Sequence, residues 1–204
     1  MVDELALNGG PAVVDGGWPR WPVSDARDVA ALNRVLDSGR WAVSGEWTGT
    51  APLDLELSER FARYVGARWC IPVDHGSSAI LIGLHTLGVC PGDEVIVPGL
   101  TWVACASVVA RAGATPVLVD IDERTLCLDP AAVEAAITPR TAAILVVHLY
   151  CAMADLDTLR AIADRHGLPL IEDAAQAHGA TWRGRRAGSL GDVGAFSVQQ
   201  GKAL

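Results

Sequence analysis

The chain has 204 residues, half of them apolar, enough for one large domain or a domain with an arm around a sizeable core. A formal net charge of −8 argues against nucleic acid and against anionic membrane surfaces as partners. The five cysteines (Cys70, Cys90, Cys105, Cys127, Cys151) are scattered, odd in number and without CxxC spacing, which excludes a disulfide framework or a zinc site and predicts buried reduced thiols. No secretory n-region, h-region and cleavage pattern opens the sequence, and its apolar stretches are interrupted before membrane-spanning length. The expectation is a soluble cytoplasmic protein without metal.

Residues 1–24, rich in Gly, Pro and Trp and without periodicity, read as an N-terminal arm, and residues 25–204 as one domain. "ARDVAALNRVLDSGRW" places Val29, Leu32, Val35 and Leu36 at helical spacing, with Gly39 as the stop. "GEWTGTAPLDLELSERFARYVG" predicts a loop and a second amphipathic helix closed by Gly66. A rhythm then sets in: "RWCIPVD" as a strand, "GSSAILIGLHTLG" as a helix, and the strands "DEVIVPG" and "TPVLVDID" flanking the helix "TWVACASVVARAG". "TAAILVVHL" is a strand, "DLDTLRAIADRHG" a helix, "LPLIEDA" a strand and "VGAFSVQ" the last strand. Short continuous apolar strands alternating with helices predict an α/β fold, a mostly parallel sheet sandwiched by helices.

Four stretches can carry chemistry. In "DHGSSA", Gly76 permits a tight turn, and Ser77 and Ser78 offer hydroxyls and free amides at a helix N-terminus, which suits a phosphate group. An ordinary serine N-cap is the competing reading. In "GLTWVACA", Trp102 lies at the carboxyl edge of the sheet, where a flat heteroaromatic ligand can stack on it; core packing is the alternative. In "LIEDAAQAHGA", Asp173 ends an apolar strand, where a buried carboxylate calls for a cationic or hydrogen-bonding partner, and Gln176 reaches the same place with an amide. A plain N-cap explains Asp173 as well. The ending "GAFSVQQGKAL" sets Ser197 and Lys202 around a turn, and a lysine against an apolar site can form a Schiff base, although a lysine near a terminus is otherwise a solvated charge.

Taken in this order, "GSSA", "DEVIVPGLTWVA", "HLY", "IEDAAQAHGA", "GSLGDVGAFS" and the lysine resemble the pyridoxal-phosphate (PLP) aminotransferases of sugars and cyclitols, the DegT/DnrJ/EryC1/StrS family. The resemblance runs from "LALNGGPAVV" to "GKAL". "GRWAVSGEWTG" and "SVQQGKAL" look most like the branch acting on aminocyclitol ketones, which contains the glutamine-dependent 2-deoxy-scyllo-inosose aminotransferases. It implies the large domain of a PLP-dependent transferase of fold type I, like that of aspartate aminotransferase. It also implies that Lys202 bonds the cofactor and shuttles protons, that Asp173 pairs with the pyridinium nitrogen, and that Gln176 meets the ring's 3-hydroxyl. Trp102 would stack on the ring, and Gly76, Ser77, Ser78 and Ser197 would hold the phosphate. Gly45 and its neighbours look like substrate-side positions. Related dehydratases carry histidine in place of the lysine, so Lys202 implies transamination. Relatives are homodimers that continue past the lysine into a small C-terminal domain, so the chain is expected to be a fragment. The implied reaction passes an amino group from L-glutamine or another amino acid to a cyclic ketone such as 2-deoxy-scyllo-inosose. The alternatives are a nucleotide-linked keto-sugar aminotransferase, an enzyme like 3-amino-5-hydroxybenzoate synthase, or a non-catalytic remnant that binds a partner.

Overall fold

The computed structural model describes residues 5–14, 16, 20–41, 44, 49 and 51–202. They belong to two compact units, 1–39 and 40–204. In the first, helix α1 (Ala26–Ser38) is capped by Asp25, whose carboxylate accepts the Arg27 N–H while Asp28 accepts the Asp25 N–H at 2.7 Å. Gly39, at φ +62°, ends it. The predicted helix is there, but none of its residues is buried, and Val29, Leu32 and Leu36 are exposed.

The second unit opens with α2 (Leu53–Val65) and α3 (Gly76–Thr86). Strand β1 (Glu94–Pro98), helix α4 (Ala104–Arg111) and β2 (Thr115–Val119) follow, then α5 (Pro130–Ala136), β3 (Thr141–Val147), α6 (Leu156–His166) and β4 (Leu170–Asp173). A short hairpin of β5 (Thr181–Trp182) and β6 (Arg185–Arg186) leads to β7 (Val193–Ala195). One five-stranded sheet runs β2-β1-β3-β4-β7, and every pairing in it is parallel.

The two-residue period of the strands splits the core into two layers. Val95, Val97, Ala143, Leu145, Val147 and Ile171 face one way, packed with Ile80 and Leu84 of α3 and Cys105, Val108 and Val109 of α4. Ile96, Ile144, Val146 and Leu170 face the other, packed with Val133 of α5 and Leu156, Leu159 and Ile162 of α6. This is the α/β sandwich expected from the apolar strand runs.

Three local expectations are corrected. Arg68–Asp74 forms no strand: no chain among the described residues pairs with it, and Trp69 and Ile71 are 75% and 79% exposed. An apolar, β-branched run becomes a strand only where a neighbour takes its N–H and C=O groups. Helix α5 lies where no helix was expected, although its signals are in the sequence, Asp129 accepting from the Ala131 N–H and Pro130 at the first turn. Finally, only Cys105 and Cys127 are buried; Cys70 is half-buried and Cys90 and Cys151 are exposed.

β4 also carries two carboxylates whose fates its pleat decides. Asp173 falls on the α3/α4 side with Ile171, and Glu172 on the other side with Leu170. Fully buried, Glu172 accepts from His148 Nε2 at 2.9 Å and from the N–H groups of Gly188 (2.8 Å), Leu190 (2.6 Å) and Gly191 (2.5 Å). Ala154 N–H donates to His148 Nδ1 at 3.3 Å, so the ring's proton sits on Nε2, toward Glu172. Glu172 thus ties the 188–191 turn to β4 and to His148, which follows β3. Gly188 and Gly194 let that turn lie flat against β7, since a Cβ on Gly194 would overlap the Gly188 carbonyl.

Burial pushes the Glu172 carboxyl up, but the bonds from His148, Gly191 and Gly188 outweigh it and hold it below its ordinary 4.5. A carboxyl depressed in the folded state stabilises fully above its unfolded value, and that contribution is lost as the pH falls through the folded value. Glu172→Ala is therefore expected to cost about 3 kcal/mol near neutral pH, because it strands a buried histidine and three amides. Urea midpoints should show the gap between parent and variant closing on the acid side of the ordinary carboxylate range. A midpoint unchanged at neutral pH would contradict this role.

Candidate active site

The strand order changes direction between β1 and β3, and in open parallel sheets ligands settle at the carboxyl ends beside such a switch point. β1 ends at Pro98, just before Trp102; β3 ends at Val147, before His148–Cys151; β4 ends at Asp173, before Gln176; and β7 ends at Ala195, before Ser197 and Lys202. The residues singled out in the sequence therefore leave the sheet from the same edge. The exceptions are Gly76, Ser77 and Ser78, at the start of α3, and Gly45, which with most of the "AVSGEWTG" loop lies outside the described residues.

Helix α3 starts at Gly76 itself, after His75 in extended backbone, and no side chain caps it. Ser77 and Ser78 stand inside the first turn, so neither is the N-cap that their type permits; the Ser78 side chain instead lies near enough to Asp74 to be the chief reason that carboxyl lies below its usual range. The uncapped end meets Ser197. A Cβ on Gly76 would stand 3.1 Å from Ser197 Cβ and 3.1 Å from the Phe196 carbonyl oxygen. The fold thus joins an amide-rich helix start to Ser197, across more than a hundred residues of sequence.

Asp173 is only 7% exposed, and no ion pair reaches it among the described residues. Its Oδ1 accepts the Ala175 N–H at 3.0 Å, and its Oδ2 accepts the Cys105 thiol at 3.2 Å. The turn-capping role is real, but it engages one oxygen of a carboxylate that stays buried without a cation. Gln176 is half-buried, and its Oε1 accepts the Tyr150 N–H at 3.1 Å. With the oxygen so engaged, the amide presents its NH₂ as a donor. The clamp is strained: Tyr150 (φ +52°) and Cys151 (φ +66°) are both left-handed, and Cys151 Sγ donates to the Gln176 carbonyl at 2.9 Å. Tyr150 itself is 73% exposed.

Trp102 is 69% exposed, which removes the core-packing alternative for it. Lys202 is half-buried, its N–H donating to the Gln199 carbonyl at 2.8 Å, and Gln199 N–H donates to Ser197 Oγ at 3.3 Å. The lysine lies close enough to His178 for its charge to act there. Burial first, and the Lys202 ammonium second, push His178 below its ordinary 6.5. Its ring packs on Phe196 at 5.4 Å, and both ring nitrogens are buried. The Ser197 backbone is near enough to affect the ring's basicity but outside hydrogen-bond geometry, so both nitrogens lack a partner among the described residues. His178, Tyr150, Cys105 and Glu172 were assigned no chemistry from the sequence; Glu172 and His178 at least lie beside Asp173 and Gln176 in the chain, whereas Cys105 and Tyr150 are 68 and 26 residues from their partners.

An uncapped helix start, a buried carboxylate without a cation, an amide donor, an uncovered indole and an orphaned imidazole beside a lysine make a donor set. It fits a phosphorylated, cationic heteroaromatic ring. Among the described residues no group of three or more His, Cys, Asp or Glu side chains could hold a metal ion. The DegT/DnrJ/EryC1/StrS aminotransferase family model matches residues 22–204. The chain belongs to that family. Like other members it has the fold-type I large-domain architecture. It is 58% identical over all 204 residues to the L-glutamine:2-deoxy-scyllo-inosose aminotransferase of Streptoalloteichus tenebrarius, 48% of which it covers. The chain thus spans about half the length of the curated relatives it matches. Among solved family structures, 3-amino-5-hydroxybenzoic acid synthase aligns with a TM-score of 0.84 and 41% identity over 91% of this chain and 47% of that one. NtdA of Bacillus subtilis, solved with bound cofactor PMP, aligns with a TM-score of 0.70 and 38% identity over 78% of this chain and 35% of that one. No helix among the described residues is long and apolar enough to cross a membrane.

Proposed function

We propose that the complete protein is a PLP-dependent aminotransferase that moves an amino group from L-glutamine to a cyclic ketone, 2-deoxy-scyllo-inosose or a close relative, in aminocyclitol antibiotic biosynthesis. The observation that carries the substrate class is the 58% identity along the entire chain to an enzyme named for that reaction, against 41% for 3-amino-5-hydroxybenzoic acid synthase. The donor set at the sheet's carboxyl edge supports the cofactor.

When bound, the cofactor supplies an electron sink for the carbanion that transamination requires. Asp173, buried and anionic, would keep a proton on the ring nitrogen. Gln176 would donate its NH₂ to the ring's 3-oxygen, and Trp102 would lie against the ring face. The amides of Gly76, Ser77 and Ser78, with Ser197, would take the phosphate, where the helix dipole favours negative charge. Lys202 Nζ would carry the cofactor between turnovers and move a proton between the donor's α-carbon and the cofactor's C4′. His178, held below its ordinary range by burial and by the nearby lysine, would add less positive charge beside that amine than a free imidazole. We further infer an arm over residues 1–24 ahead of the cofactor-binding domain, and a homodimer as the working unit.

The test is an assay of the complete protein with L-glutamine against keto-cyclitols and nucleotide-linked keto-sugars. The expected result is amination of 2-deoxy-scyllo-inosose or scyllo-inosose with kcat/KM about tenfold or more above any keto-sugar. Preference for a nucleotide-linked sugar would overturn the substrate class. Failure with every ketone, in a protein that retains its fold, would leave a binding protein.

A further inference from the structure

The buried carboxylate of the site is held by a thiol, and this has consequences of its own. Cys105 is the second residue of α4 and has no exposed surface. Its Sγ lies 3.2 Å from Asp173 Oδ2, across 68 residues of sequence, and 3.8 Å from Thr101 Oγ1. Asp173 Oδ1 is held separately by the Ala175 N–H at 3.0 Å. Two donors on two different oxygens fix the rotation of the carboxylate about its last bond, and each oxygen keeps a lone pair for a further partner. Burial, followed by the charge of Asp173, pushes the thiol's pKa far above its ordinary 9.0, so it remains an S–H donor at and well above neutral pH.

We propose that Cys105 is a positioning residue for Asp173, orienting the carboxylate toward its cationic partner. The proposal rests on the cofactor reading above, in which that partner is the protonated ring nitrogen. Cys105 also packs with Val97, Val108 and Val109, and as a filler of that apolar layer alone it would behave differently. A filler tolerates alanine better than serine, because a hydroxyl is costlier than a small gap among valines. A positioning donor shows the reverse order, since serine restores the hydrogen bond and alanine does not.

The experiment uses the complete protein loaded with PLP, as the parent and as Cys105→Ala, Cys105→Ser and Asp173→Asn variants. Two quantities are read: the PLP dissociation constant, and the midpoint of the bound cofactor's absorbance as a function of pH. Cys105→Ala is expected to weaken PLP binding about 5- to 10-fold and to displace the titration midpoint, the effect of losing one hydrogen bond to a charged group. Cys105→Ser is expected to bring the dissociation constant back to within about twofold of the parent, and the midpoint back toward it. Alanine with parental binding and midpoint, or serine worse than alanine in both, overturns the proposal. If Asp173→Asn moves both readouts and Cys105→Ala moves neither, only the role of Cys105 falls. If the protein takes up no PLP, or Asp173→Asn changes nothing, the cofactor reading falls and takes this inference with it.

Discussion

Lys202→Ala in the complete protein should lower transamination by about 10⁴-fold, the upper end for removing a positioned acid–base group that is also the point of covalent attachment. Cofactor binding should survive in weakened form, because in the proposed arrangement the phosphate and ring contacts would come from α3, from the end of β4 and from Ser197. The measurement that separates these effects is borohydride reduction of the loaded protein, followed by digestion and mass spectrometry. Lys202 is the sole lysine of these 204 residues, against fifteen arginines, so a reduced label in this part of the protein has one place to go. The parent should carry the label on the peptide containing Lys202, and the variant should carry none there. A label on another residue, or turnover preserved in the variant, would remove Lys202 from the chemistry.

The second large effect is expected at Asp173. Asparagine matches the shape of aspartate and can still accept the Ala175 N–H, so Asp173→Asn should fold with a melting temperature close to the parent's. It cannot hold a proton on a ring nitrogen by charge. Turnover should therefore fall by about 10²- to 10³-fold, the range seen when one preorganised electrostatic partner of a transition state is lost. If Asp173 served only the turn after β4, turnover would be unchanged, and steady-state kinetics with thermal melts distinguish the two.

Much of the architecture was readable because the strands of a doubly covered parallel sheet are apolar along their whole length. "DEVIVPG", "TAAILVVHL" and "LPLIEDA" each place a strand within a residue or two of its observed ends. The same reasoning misassigned "RWCIPVD", whose composition is equally strand-like, because pairing is a property of what lies alongside and not of the run itself. The site was legible for a related reason. Asp173, Gln176, Trp102, Ser197 and Lys202 each follow an apolar strand, and strand ends in a parallel sheet share one edge. What stayed hidden were groups whose partners are distant in sequence: Cys105 under Asp173, Glu172 with His148 and the 188–191 turn, and the Tyr150–Cys151 clamp on Gln176.

By itself, the sequence determined the α/β class, the family and the set of residues at the sheet's carboxyl edge, since these follow from local periodicity and from residue types in a fixed order. Only the tertiary structure decided how those residues are held. Adjacent residues of β4 send Glu172 into a fully bonded turn and Asp173 toward a thiol and an unfilled demand for a cation, because a strand's side chains alternate between two faces whose neighbours come from different helices. The uncapped start of α3 lies against Ser197 because Gly76 lacks a Cβ and the chain leaving β7 returns to it. Hydrogen bonding and burial are set by such long-range packing, and no window of sequence contains both partners.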